Sequence, residues 1–153
     1  MDQYLEALRE ALLHEDNWKR VVLTRAWAKL APDKAGVYVL KRGEQLIYVG
    51  ETGNLRGRML DLLESRQHSV RRTLGSRLYS DQEGFVKATA SRKFPPEFEQ
   101  LLDEYIITNL MVAYVTVPIG RKELEELIDK SMGDSEHRLN KRSKRKGSGK
   151  VVR

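Results

Sequence analysis

The chain contains no cysteine, which excludes disulfides, a thiol nucleophile and a cysteine-ligated zinc site, and fits a reducing compartment. No apolar run approaches the roughly 18 residues that a membrane span needs, and the first residues lack the basic and apolar regions of a signal peptide. A cytoplasmic protein with no membrane partner is the expectation. Aromatic residues are few, and Trp18 and Trp27 stand far from other chemistry-bearing residues, so both are expected in core packing. Without disulfides or structural zinc, stability must come from burial alone, for which 153 residues suffice in one domain.

Charge is present in excess of one sign but unevenly. The net charge is +6, yet residues 137 to 153 carry Arg138, Lys141, Arg142, Lys144, Arg145, Lys146, Lys150 and Arg153 with no acid, so the rest of the chain is close to neutral. Such a tail can hold phosphates without sequence preference or keep a domain soluble, and from Lys141 onward its polarity predicts disorder. A second basic stretch holds Arg56, Arg58, Arg66, Arg71, Arg72 and Arg77 against only Asp61 and Glu64.

Residues 36 to 58 carry the densest signal. Two short apolar runs, Val37 to Leu40 and Leu46 to Val49, flank a five-residue link with Gly43, the pattern of a β-hairpin. If Leu40 pairs with Leu46, Tyr38 lies opposite Tyr48 on one exposed face, with the hydroxyls in a cleft. Asn54 then caps a helix running to about Arg66, whose apolar stripe is Leu55, Met59, Leu62 and Leu63. Arg56 and Arg58 both border that stripe, so either can lean over the tyrosines.

Elsewhere, residues 2 to 13 read as an amphipathic helix capped by Asp2. Trp18 to Leu23 fits either strand or helix, and Thr24 can cap a short helix that Pro32 ends. His68 to Tyr79 reads as a basic helix, Ser80 to Lys93 as irregular, and Pro95-Pro96 opens another helix. Leu110 to Val117 is a strand, and Arg121 to Lys130 a helix burying Leu124, Leu127 and Ile128. The order predicts an α+β domain with a small antiparallel sheet and helices packed against it.

The tripeptides Gly36-Val37-Tyr38 and Tyr48-Val49-Gly50, followed by Asn54-Leu55-Arg56-Gly57-Arg58, resemble the GIY-YIG nuclease family over about residues 32 to 140. Residues 1 to 31 are then an N-terminal helical extension and 141 to 153 a basic tail. The resemblance implies a three-stranded, mostly antiparallel sheet and a metal-dependent DNA endonuclease using Mg²⁺ or Mn²⁺. It implies Tyr38, Tyr48 and Arg58 as catalytic residues, the arginine standing ten residues after the second tyrosine. A glutamate on the helix after the last strand would hold the metal, a hard cation that one carboxylate and several waters can satisfy.

Here Leu124-Glu125 matches that glutamate, although Leu127-Ile128 follows one residue early, which leaves Glu123 as the alternative. Asn140 matches the family's asparagine, without the preceding proline. Gly50, Asn54, Arg56, Arg71, Arg72 and Asn140 are the expected substrate-binding residues.

Glu51 departs from members that carry lysine there. Its carboxylate repels phosphate unless it joins the metal shell or pairs with an arginine. His68, alone beside arginine-rich sequence, is expected at the surface. The competing readings are a nucleic-acid-binding domain of the same fold without cleavage, and a basic module that meets an acidic partner.

Overall fold

The computed structural model describes residues 1–140, so the expected disorder of residues 141–153 lies outside the described residues. Helix α1 (Asp2–Leu13) is followed by a single 3-10 turn, then β1 (Lys19–Arg20) and α2 (Arg25–Ala28). The hairpin is β2 (Gly36–Arg42) and β3 (Gln45–Thr52), followed by α3 (Leu55–Asp61), α4 (Ser69–Tyr79), α5 (Pro96–Asn109), β4 (Leu110–Thr116) and α6 (Arg121–Met132). None of the described helices is long and apolar enough to cross a membrane.

The sheet is antiparallel in the order β1-β4-β2-β3, four strands where three were expected. The additional strand is the two-residue β1, which falls in the undecided stretch from Trp18 to Leu23. Two residues are too short to show an alternation, and β1 exists only because β4 offers it an edge, with Lys19 beside Val112. Residues 1–31 thus supply a strand to the sheet as well as Leu5, Leu12, Trp27 and Ala28 to the core.

Alternation along the central strand β2 divides the core in two. Val37 and Val39, with Val49 and Ala113, meet Leu5 and Leu12 of α1 and Leu124 and Ile128 of α6. Tyr38 and Leu40, with Val112, meet Leu55 and Met59 of α3, Val70 and Leu74 of α4, and Phe98, Leu102 and Ile106 of α5. Trp27 joins this second cluster and donates its indole N–H to Arg20 O at 3.1 Å, which bears out core packing for that residue.

The hairpin register differs from the expected one. Tyr38 stands opposite Gly50 and Leu40 opposite Tyr48, with a bulge beyond Leu40 that brings Lys41 opposite Leu46. The connection is only Gly43-Glu44, with Gly43 at φ +62°, where a residue without Cβ is unstrained. A shorter turn with one extra residue in β3 explains both changes, because a bulge sets two residues against one. It also turns Ile47 and Tyr48 toward the same cluster, so the two tyrosines share a face as expected, but as diagonal neighbours.

The free edge of β3 is closed by the end of the described chain. Leu139 N–H donates to Ile47 O at 2.7 Å. The Asn140 amide clamps Val49, accepting from its N–H at 3.0 Å and donating to its carbonyl at 2.9 Å. Just before it, Arg138 is buried in an ion pair with Asp129 and donates to Gly133 O at 2.7 Å. Covering an edge in this way removes unpaired backbone groups and pins the register of the second tripeptide.

Candidate active site

Tyr38 is the centre of the arrangement. It lies on the central strand between Tyr114 and Gly50, and its ring covers Gly50, where an added Cβ would come within 2.7 Å of the phenol oxygen. Gly36 is equally constrained, since a Cβ there would stand 2.2 Å from Val115 O. The two glycines at the ends of the tripeptides are therefore demanded by close approach. The expectation that Tyr38 sits on an exposed face is wrong: it is 1% exposed, because α3 and α4 close over the strand. Tyr48 is half-buried beside it, with ring centroids 5.9 Å apart.

His68 completes the site and is the residue that sequence reasoning misplaced. It is fully buried, and its Nε2 lies 2.9 Å from Tyr38 Oη. Its Nδ1 caps α4 by accepting from Val70 N–H at 3.1 Å. A nitrogen that accepts carries no proton, so the neutral ring holds its hydrogen on Nε2 and donates to Tyr38. The available signal was its place at the start of a helix, where a side-chain acceptor is useful; nothing local pointed to Tyr38.

Arg58 reaches the same oxygen, its Nε donating to Tyr38 Oη at 3.2 Å. Its Nη1 donates to Asp61 Oδ2 at 2.9 Å and to Gln67 O at 3.2 Å. With two donors on the phenol oxygen, the tyrosine's own hydrogen must point to a third group. Burial, reinforced by the Tyr48 hydroxyl, pushes the Tyr38 pKa well above its ordinary value, against the opposing pull of Arg58. Tyr38 therefore stays a phenol at neutral pH and can orient or relay, while base catalysis by its phenolate is disfavoured. Burial acts to lower the Arg58 pKa, but Tyr38 and Asp61 outweigh it and hold it above the usual value.

Burial, assisted by Arg58, Arg72 and Arg71, lowers the His68 pKa well below 6.5. In the unfolded chain His68 takes up a proton near pH 6.5 while the folded protein does not, so stability is full above that pH and falls as pH drops below it. Tyr38 acts at the other end, where the unfolded phenol ionises near pH 10 and the buried one does not, so stability falls above pH 10. Thermal unfolding across pH should show a plateau between these limits. His68→Gln should flatten the acid side between about pH 6.5 and 5, a slope worth up to ~2 kcal/mol. A wild-type melting temperature that does not change over that interval would contradict this assignment.

The remaining expected residues are distributed around this centre. Asn54 caps α3, accepting from Gly57 N–H at 3.1 Å and donating to Asp33 at 2.6 Å. Arg56 donates Nε to Ala31 O at 3.0 Å, tying α3 to the preceding loop. Arg72 is half-buried one turn after His68 and donates to Ser65 O and Arg66 O.

Arg71 is not on the surface. It is fully buried, donates to Glu99 at 2.6 Å, stands 2.6 Å from Asp103 Oδ1, and bonds Ser65 Oγ and Leu62 O. It ties α4 to α5 and is closed to a substrate. Asn140 uses its amide on Val49. Glu51 pairs with Arg121 at 2.6 Å, one of the two circumstances that remove its repulsion of phosphate.

Glu125 lies half-buried on α6, and Glu123 and Glu126 are exposed. That helix packs on the sheet face opposite Tyr38 and chiefly against the edge strand β3. Among the described residues no three His, Cys, Asp or Glu side chains cluster as metal ligands. A zinc site with three protein ligands is therefore not built there, whereas a hard cation that keeps most of its waters needs one carboxylate. Glu51 and Asp61 are engaged by arginines.

A family model described as "GIY-YIG catalytic domain" matches residues 22–148. Among solved structures, the GIY-YIG N-terminal endonuclease domain of UvrC from Thermotoga maritima, bound to magnesium, is 20% identical with a TM-score of 0.35. That match covers 71% of this chain and 88% of the other. A point mutant of the same domain bound to the catalytic divalent cation is 19% identical with a TM-score of 0.35, covering 71% and 87%. No curated protein matches the chain.

Proposed function

We propose, from the premise that the chain belongs to the GIY-YIG catalytic-domain family, that it is a metal-dependent DNA endonuclease. The observation that carries the reading is the convergence on Tyr38 Oη of His68 Nε2 at 2.9 Å and Arg58 Nε at 3.2 Å, beside the half-buried Tyr48. Buried donors fixed on one phenol before the substrate arrives hold the geometry of the site without reorganising.

Tyr48, the more accessible phenol, orients the attacking water, whose proton passes to solvent, and Tyr38, fixed by His68 and Arg58, holds Tyr48 in place. Arg58 keeps Nη2 for an oxygen of the scissile phosphate. Glu125 would hold Mg²⁺ or Mn²⁺, which supplies Lewis-acid stabilisation of the leaving oxygen. Arg56 and Asn54 place α3, and Asn140 and Gly50 hold β3 in register under Tyr38.

Supercoiled plasmid should be nicked or linearised by the full chain with Mg²⁺ or Mn²⁺, and remain intact with chelator or with Arg58→Lys. The placement of α6 on the opposite sheet face favours one other reading, a DNA-binding domain without cleavage. Salt-dependent duplex binding with no cleavage in either metal would select that reading and reject the nuclease.

A further inference from the structure

Beyond the tyrosine site, one face of α4 borders a cleft of about 300 Å³ that the proposed chemistry does not use. Ser69, Arg72, Thr73 and Ser76 follow the i, i+3, i+4, i+7 spacing that places side chains on one helical stripe. Arg77 borders the stripe, and Lys87 faces it from the loop after α4. Among the described residues the lining thus has three cations, three hydroxyls and no carboxylate. Behind its inner wall, Ser76 Oγ is shielded and has no hydrogen-bond partner among the described residues, a state that costs free energy unless something supplies the bond. The arginines are positioned rather than loose, since Arg72 Nη1 bonds Ser65 O and Arg66 O, and Arg77 Nη1 bonds Glu136 O at 3.0 Å.

A group that accepts hydrogen bonds, carries negative charge and fits hydroxyls as well as cations is a phosphodiester. The cleft runs on from the active site along the same helix, because Arg72 is one turn after His68 and Ser76 two turns. At 1.5 Å per residue, Ser76 lies about 12 Å along the axis from His68, so a group held beside it is not the phosphate held at the tyrosine site. We propose that this cleft holds a backbone phosphate of the DNA flanking the bond that is cut. The proposal rests on the nuclease reading and adds to it a flanking subsite, built by Ser69, Arg72, Thr73, Ser76, Arg77 and Lys87.

The test uses the full chain, a fluorescent duplex and chelator, so that binding is read without cleavage. Lys87→Ala and Thr73→Ala should each weaken binding severalfold, and Lys87→Ala should reduce the slope of log K against log salt by about 1. Arg20→Ala, an exposed arginine on β1 at the other edge of the sheet, should keep the wild-type slope. Thermal unfolding of all three should match the wild type, which separates binding from folding. If the wild type binds and both cleft variants share its slope and affinity, the subsite is rejected while the nuclease reading stands. If the wild type shows no salt-dependent duplex binding, the subsite falls, while plasmid cleavage with Mg²⁺ decides the nuclease reading. Weakened binding of inorganic phosphate by Lys87→Ala with an unchanged DNA slope would assign the cleft to a free anion and overturn the proposal.

Discussion

Arg58→Lys should lose cleavage by about a hundredfold or more under single-turnover conditions with Mg²⁺, the range for removing one preorganised donor from a charge-stabilising site. Arg56→Lys should cleave nearly as wild type. The sequence placed both arginines beside the same apolar stripe, but their partners separate them. Arg58 divides one guanidinium among Tyr38 Oη, Asp61 and Gln67 O, a planar fork that a single ammonium cannot reproduce. Lysine would keep the charge and pack its stem, so folding and DNA affinity should hold while the donor on Tyr38 is lost. Arg56 makes one side-chain bond to a carbonyl, Ala31 O, which an ammonium can also make. Equal losses for the two substitutions, or a larger loss at Arg56, would place the phosphate-facing arginine at the wrong residue.

Arg71→Ala should act on stability rather than on the reaction. The guanidinium is fully buried between Glu99 and Asp103, whose side chains are 15% and 43% exposed. Removing one partner of a buried pair costs about 3–5 kcal/mol because the other charge is left uncompensated. Here water can reach Asp103 and part of Glu99, so the lower end applies, about 3 kcal/mol. At 2–4 °C per kcal/mol for a chain of this size, the melting temperature should fall by roughly 6–12 °C. Measured well below that temperature, cleavage per folded molecule should remain close to wild type. An unchanged melting temperature with weakened DNA binding would return Arg71 to the substrate surface, where its position in a basic stretch had suggested it belonged.

Arg71 illustrates where sequence reasoning stops. Composition counts a basic run, but whether an arginine faces phosphate or two carboxylates on α5 depends on residues 28 and more positions away. His68 failed for the same reason in the opposite direction. Charge beside it suggested a surface position, whereas burial follows from α4 closing over a strand thirty residues earlier. Glu51 was legible as an exception, and its two possible resolutions could be stated, yet only the packing of α6 brought Arg121 to it, seventy residues on.

What the sequence determined by itself is local in origin. The hairpin, the shared face of Tyr38 and Tyr48, the Asn54 cap and the ten-residue step to Arg58 depend on alternation, turn chemistry and helix starts, which act over a few residues. The resemblance to the family was legible in the same short stretch, because the two tripeptides and the helix after them are contiguous, and the family model matches residues 22–148. Tertiary structure decided the rest: the bulge that makes Tyr38 face Gly50, the fourth strand, the burial of Tyr38 and the clamp of Asn140 on Val49. Each of these is a contact between segments far apart in the chain. Its free energy depends on which surfaces meet, a property that residue spacing does not contain.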